Sequence, residues 1–236
     1  MKIRFLGTNG WYDTDTGNTV CILIETKKSY LILDAGNGFY KIGRYIKEHK
    51  PINLFLSHYH LDHVIGLHIL NKFDFKQGLD IYGPPGLKAL FDKVINKPYS
   101  AALSGLSFKV RLHEITRTAV LPAGISYAPL KHSVTCYGYR ICLEHSIVSY
   151  CTDTGLCDNF FLLAKNADIL ITECSLKNGQ ENLSWPHLNP QQAASVAENS
   201  MAKRLFLVHF DAGLYLTSGD RASAQASARK IFKNTV

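Results

Sequence analysis

The sequence predicts an α+β chain built as a four-layer αββα sandwich, a single domain over residues 1–236. Three observations carry that reading. Short apolar runs of strand length recur in both halves, and each half also holds helix-patterned segments. No long low-complexity or linker-like stretch divides the chain, apart from the segment after Asn96. Several of the apolar runs stop abruptly at aspartate or histidine, so the sheets would offer ligand-type side chains at their edges.

The elements follow in order. Strands are expected at residues 3–6, 19–25 and 30–34, then a helix over 39–48 with Phe39, Ile42, Tyr45 and Ile46 on one face. A strand at 52–57 precedes a helix near 64–70. Residues 80–82 read as a short strand, stopped by Gly83-Pro-Pro-Gly86, and a helix follows over 87–95. The second half gives strands at 107–112, 125–129, 137–143, 147–151, 169–172 and 205–208, with helices at 158–165, 191–200 and 221–232. Asn189 before Pro190 is a helix start with a mechanism: a side-chain acceptor for orphan N–H groups, then a residue whose missing N–H costs nothing. Two sheets packed face to face beneath outer helices satisfy this pattern. The chain stops soon after a helix, so a closing strand is expected to be absent or cut short.

Composition narrows the class. An apolar fraction of 46% with 19% charged residues suits a globular chain. No apolar run reaches the roughly 18 residues needed to cross a bilayer. The N-terminus enters a strand at once without a signal-peptide layout, which points to the cytoplasm and away from membranes. Six scattered cysteines, with no C-x-x-C spacing, read as reduced thiols, four of them inside apolar runs. The net charge of +7 favours an anionic substrate, but no dense Lys/Arg run marks a nucleic-acid track.

The chemistry concentrates in Ser57-His58-Tyr-His60-Leu-Asp62-His63. His58 and His60 are two apart, so an extended backbone points both to one side. Asp62 and His63 fall where a helix begins, and the bend can turn them toward the first pair. Neutral imidazole and carboxylate are ligands for Zn²⁺, Mn²⁺ or Fe. The segment offers more donors than one tetrahedral ion needs, which points to two ions roughly 3.5–4 Å apart. Four more residues end strands elsewhere: Asp34, His132, Asp153 and His209.

The order Asp34, His58-x-His60-x-Asp62-His63, His132, Asp153, His209 resembles the metallo-β-lactamase superfamily over essentially the whole chain. The resemblance implies the metallo-β-lactamase fold and two divalent metal ions, zinc first, with manganese or iron as alternatives. It implies that one ion takes His58, His60 and His132. The other takes Asp62, His63 and His209, while Asp153 bridges. Asp34 would stand behind the ligands and hold an imidazole in its tautomer.

Two further segments resemble the ribonuclease Z group and the cyclic phosphate phosphodiesterases: Ile171-Thr-Glu173-Cys-Ser and His187-Leu-Asn before Gln191-Gln-Ala-Ala. The cyclic phosphate group also resembles the chain at Tyr82-Gly-Pro-Pro85. The likeness implies that His187 donates a proton beside the metals and that Glu173 orients it. Asp62, Glu173 and His187 are therefore the candidate catalytic residues. The expected substrate is a small or cyclic phosphodiester or RNA, and homodimerisation is implied by analogy with ribonuclease Z. Against tRNA 3′ processing, the chain passes from residues 138–145 directly to 146–153, leaving no room for the tRNA arm. The loop Asp13-Thr-Asp-Thr-Gly-Asn18 also carries acids where basic residues are expected. A thioester hydrolase of the glyoxalase II type would leave Glu173 and His187 without a task. A β-lactamase would suit an exported protein. A non-catalytic nucleic-acid-binding module would need closed metal sites, whereas seven ligands around two ions leave room for water.

Overall fold

The computed structural model describes residues 1–236. In chain order the strands are β1 (Lys2–Gly7), β2 (Asn9–Gly10), β3 (Cys21–Glu25), β4 (Tyr30–Leu33), β5 (Ile52–Phe55), β6 (Leu79–Gly83) and β7 (Val110–Glu114). They continue with β8 (Ile125–Leu130), β9 (Cys136–Leu143), β10 (Ser146–Cys151), β11 (Ile169–Glu173), β12 (Leu205–Val208) and β13 (Phe210–Asp211). The α-helices are α1 (Leu61–Val64), α2 (Leu87–Lys93), α3 (Asp158–Ala164), α4 (Pro190–Asn199) and α5 (Ser218–Arg229). Two compact units result, one of Met1–Thr8 with Asn18–Val120 and one of Asn9–Gly17 with Leu121–Val236.

The first unit is a six-stranded sheet in the order β1-β3-β4-β5-β6-β7. The pairs β1–β3 and β3–β4 are antiparallel, and β4, β5, β6 and β7 run parallel. Every residue of β4 and β5 is buried, as expected of central strands covered on both faces. Their core includes Leu23, Ile32, Phe39, Ile42, Leu54 and Leu67. The helix expected over 39–48 is a 3₁₀ segment instead, Asn37–Arg44, and the one near 64–70 is the single turn of α1 followed by 3₁₀ turns at Ile65–Lys72. Glycine is the cause in the first case. Gly38 lies so close to β1 that a Cβ would sit 2.7 Å from the Gly7 nitrogen. Gly38 and Gly43 together also weaken a regular α-helix.

The second unit is a five-stranded sheet in the order β12-β11-β10-β9-β8, with β10, β11 and β12 parallel and β8, β9 and β10 antiparallel. Its core includes Phe160, Leu170, Ala194, Val196, Leu205 and Tyr215. The β9–β10 hairpin closes through Glu144 and His145 alone, both at positive φ (50° and 60°). That is the backbone of a two-residue primed turn, formed without the glycine or asparagine that usually announces it. A small parallel pair, β2 with β13, ties Asn9–Gly17 into this unit. At the far edge Val236 donates to the Leu205 carbonyl and accepts the Leu207 N–H, and Thr235 forms an isolated parallel bridge to Leu205. The last residues thus pair alongside β12 as a bridge and not as a full strand.

All six cysteines are unpaired as disulfides, and Cys21, Cys136, Cys151 and Cys174 are buried. Burial pushes the Cys151 and Cys174 thiols up to about 12, which keeps them protonated and unreactive at neutral pH. No helix is long and apolar enough to cross a membrane.

Helix α4 begins as its sequence requires. Asn189 Oδ1 accepts the Gln192 N–H at 3.0 Å, Gln192 Oε1 accepts the Asn189 N–H at 3.1 Å, and Pro190 occupies the first turn. Asn189 Nδ2 also donates to the Gln180 carbonyl. Asn189→Ala should therefore cost about 1–2 kcal/mol of stability in urea denaturation, with the m-value unchanged.

Candidate metal centre

In the first unit the site grows from the C-terminal ends of β4 and β5. Asp34 follows β4 in the left-handed region (φ 55°) and is fully buried. Its Oδ1 accepts the Ser57 N–H at 2.7 Å and its Oδ2 accepts the Ser57 hydroxyl at 2.8 Å. The second oxygen also faces His63 Nδ1 at 2.9 Å. Ser57 has one proton and gives it to Asp34, so its oxygen is an acceptor for His58 Nδ1, 3.0 Å away. The two contacts fix both tautomers: His58 and His63 carry hydrogen on Nδ1 and keep a lone pair on Nε2.

The expected bend forms. His60 occupies the cap position before α1, in extended conformation, and accepts the His63 N–H at 3.0 Å. The His58 ring then lies 4.5 Å from the His60 ring and 4.2 Å from the His63 ring, centroid to centroid. Asp62 Oδ2 is 3.6 Å from His63 Nε2. The structure brings His58, His60, Asp62 and His63 together, with Asp34 behind them. The docking of this loop is helped by the backbone of Ala35, which donates to the His63 carbonyl at 2.8 Å.

In the second unit the expected residues also stand at strand ends. His132 follows β8, while Asp153 (φ 54°) follows β10 and His209 (φ 52°) follows β12. The Asp153 carboxylate divides its oxygens: Oδ1 is 3.2 Å from His209 Nε2 and Oδ2 is 3.8 Å from His132 Nε2. A carboxylate that spans two cations needs that disposition. Ser175 Oγ donates to the His209 carbonyl at 2.8 Å, so its oxygen accepts from His209 Nδ1 at 2.9 Å. Once more Nε2 is left as the donor atom.

Glu173 and His187 belong to the same group. His187 Nδ1 is 2.9 Å from both Glu173 oxygens, and Glu173 is further fixed by the N–H groups of Thr154 and Leu188. The His187 ring lies 5.3 Å from that of His132 and stacks on that of His209 at 5.7 Å. Donor atoms of Asp153, His187 and His209 fall within 4.8 Å of one another.

Four contributors escape a sequence reading. Ser57 and Ser175 orient imidazoles, but a serine beside a histidine is too common to signal that role. Gly10 of β2 packs on His209, where a Cβ would meet the ring at 2.5 Å. Arg221, at the start of α5 behind the Thr217–Asp220 capping box, donates to Asn9 Oδ1 at 2.6 Å and Thr16 Oγ1 at 2.8 Å. It brings a cation to the loop in which only acids were evident. These partners are separated by about two hundred residues, so no local pattern can reveal them.

The donor set fits divalent metals: imidazole nitrogens with fixed tautomers, and buried carboxylates to balance the charge. Asp34→Ala should lower zinc affinity by roughly 10- to 100-fold, read by competition with a chelating dye. Ser175→Ala, which frees one ring only, should lower it less.

Comparison with known proteins agrees with this geometry. Residues 30–210 match the family described as beta-lactamase superfamily domain. The chain is 29% identical over 219 residues to the probable metallo-hydrolase YhfI of Bacillus subtilis, covering 89% of this chain and 86% of that one. It is 27% identical to the ribonuclease Z of Microcystis aeruginosa, covering 100% and 93%. The crystal structure of YhfI, a metallo-β-lactamase fold protein, superposes with a TM-score of 0.81 at 26% identity, covering 99% and 93%. Human short-form tRNase Z shares the fold, with a TM-score of 0.74 at 23% identity and coverage of 89% and 93%. The chain belongs to the beta-lactamase superfamily domain family, as a ribonuclease Z-like member of the metallo-β-lactamase superfamily of metal-dependent hydrolases.

Proposed function

We propose that the chain is a phosphodiesterase in which both donor sets serve one dinuclear centre within a single domain over residues 1–236. His58, His60 and His132 hold one ion, Asp62, His63 and His209 hold the other, and Asp153 bridges them. Zinc suits the nitrogen-rich set, and manganese and iron are the alternatives. The divided Asp153 carboxylate supports this arrangement.

The observation that carries the choice of reaction is the Glu173–His187 pair. Bound metals would supply a hydroxide at neutral pH and neutralise the non-bridging phosphate oxygens. The chain's own residues must handle the leaving group. With Nδ1–H committed to Glu173, the proton that His187 can deliver is the one on Nε2. An alkoxide leaving group needs that proton, whereas a thiolate leaves without it. The pair therefore favours a phosphodiester over a thioester.

The substrate proposed is a small or cyclic phosphodiester, or RNA held without a protruding arm. The two-residue turn at Glu144–His145 supports this choice, because nothing is inserted there. The match to ribonuclease Z agrees, since it runs over 300 aligned positions against the 236 residues of this chain.

His187→Ala in zinc-loaded protein should lower turnover of an alkyl phosphodiester by roughly 10²- to 10⁴-fold. On bis-p-nitrophenyl phosphate, whose phenolate leaves unaided, the loss should be small, and metal content should not change. Unchanged turnover of the alkyl diester with metals retained removes His187 from the mechanism. A thioester assayed in parallel should be inert. Cleavage of neither diester nor thioester with metals bound overturns the phosphodiesterase reading and favours a binding module.

A further inference from the structure

The chain has two tryptophans, and both are exposed, Trp11 by 70% and Trp185 by 47%. Tryptophan is among the residues most reduced in exposure by folding, so two uncovered ones in a chain of this size call for a use. Both belong to the second unit; Trp185 stands beside one of the histidines described above, and Trp11 follows the glycine that packs on another. The Trp185 ring meets that of His132 edge-on at 5.9 Å. His132 then contacts His187, and His187 stacks on His209. At the other end of this row of rings, Gly10 packs on His209, and the next residue is Trp11.

Both side chains sit on braced turns. Asn182 Oδ1 accepts the N–H groups of Ser184 and Trp185 and the Ser184 hydroxyl, which ties the Trp185 turn to its own start. Asn9 Nδ2 donates to the carbonyls of Tyr12 and Gly17 and to Thr14 Oγ1, and Arg221 grips Asn9 from α5. Within that loop Trp11 is held at φ 71°, a left-handed conformation that a bulky residue adopts only when its surroundings impose it. Such strain, kept at an exposed ring, is characteristic of ligand clamps.

We propose that Trp185, with Trp11 at the opposite end of the histidine row, provides stacking faces for the base of a nucleotide-type phosphodiester. The substrate class thus becomes a diester bearing a nucleobase, as opposed to an aliphatic or sugar-only cyclic phosphate. The proposal rests on the phosphodiesterase reading for the reacting group. The faces act through stacking, which tolerates any base because every base has a π-face. The gain is in binding, so it falls on KM and leaves kcat nearly unchanged.

Two measurements test it. In Trp11→Phe protein, Trp185 is the sole tryptophan. AMP should quench its emission saturably, and ribose 5-phosphate should not. In zinc-loaded protein, Trp185→Ala should raise KM for 2′,3′-cyclic AMP by roughly 5- to 100-fold while kcat stays within about twofold. Trp185→Phe should keep most of the affinity, and a cyclic ribose phosphate without a base should be indifferent to both changes. Absence of quenching by AMP, equal quenching by ribose 5-phosphate, or an equal KM rise on both substrates overturns the proposal. Saturable quenching by AMP in a protein that cleaves no diester supports the stacking faces and rejects the phosphodiesterase reading. Diester cleavage without quenching does the reverse.

Discussion

The Asp34 carboxylate is the interaction on which the donor cluster of the first unit depends. A buried anion is costly unless donors surround it, and here the donors are the groups that must be aimed: the Ser57 backbone and hydroxyl and the His63 ring. The requirement to satisfy one charge therefore fixes the loop, the serine proton and two imidazole tautomers together. An imidazole free to rotate or exchange tautomers would offer the wrong nitrogen for part of the time. With Nδ1–H engaged, His58 and His63 present Nε2 in every arrangement consistent with the hydrogen bonds.

A second constraint is the backbone at the strand ends. Asp34, Asp153 and His209 all adopt left-handed φ between 52° and 55°. Each such residue costs on the order of 1–2 kcal/mol relative to a right-handed one. Aspartate and histidine are among the side chains that bear this conformation best. The sharp turn lets a strand end and its next side chain point out of the sheet edge within one residue. A longer loop would reach the same place with more freedom, and freedom is what a ligand set cannot have. Glycine would relax the backbone at these positions but remove the carboxylate or imidazole, so the strain is tied to the side chain that each position must carry.

These constraints explain what the sequence makes legible. The donors at residues 58 to 63 are contiguous, and their spacing alone implies that they share one side. The strands are legible because buried parallel strands read as near-continuous apolar runs, as in Tyr30–Leu33 and in Ile52–Phe55, where Asn53 is the one break. The helix expected over 39–48 reads correctly as an apolar face, with Phe39 and Ile42 buried, but not as an α-helix. The close approach of Gly38 to β1 sets its backbone, and that is a tertiary fact. The primed turn at Glu144–His145 is invisible for the converse reason: its neighbours' pairing imposes a conformation that neither residue type advertises. Ser175, Gly10 and Arg221 act only across long separations, and a residue whose role is defined by a distant partner leaves no local trace.

The two serines show how the same device can have different reach. Ser57 passes its proton to a carboxylate that also holds His63, so one charge governs two imidazoles. Ser175 passes its proton to the carbonyl of His209 itself, a closed loop around a single residue. In the proposed assignment His58 and His63 belong to different ions, which makes Asp34 a common support for both. Ser175 supports one. A charged acceptor behind an imidazole also raises the basicity of the ring more than a hydroxyl does, so the support is unequal in strength as well as in reach. The geometry of the loop at residues 57–63 is thus decided by an anion that the fold must satisfy whether or not a metal is bound. In the second unit, His209 at the end of β12 carries its own local brace in Ser175.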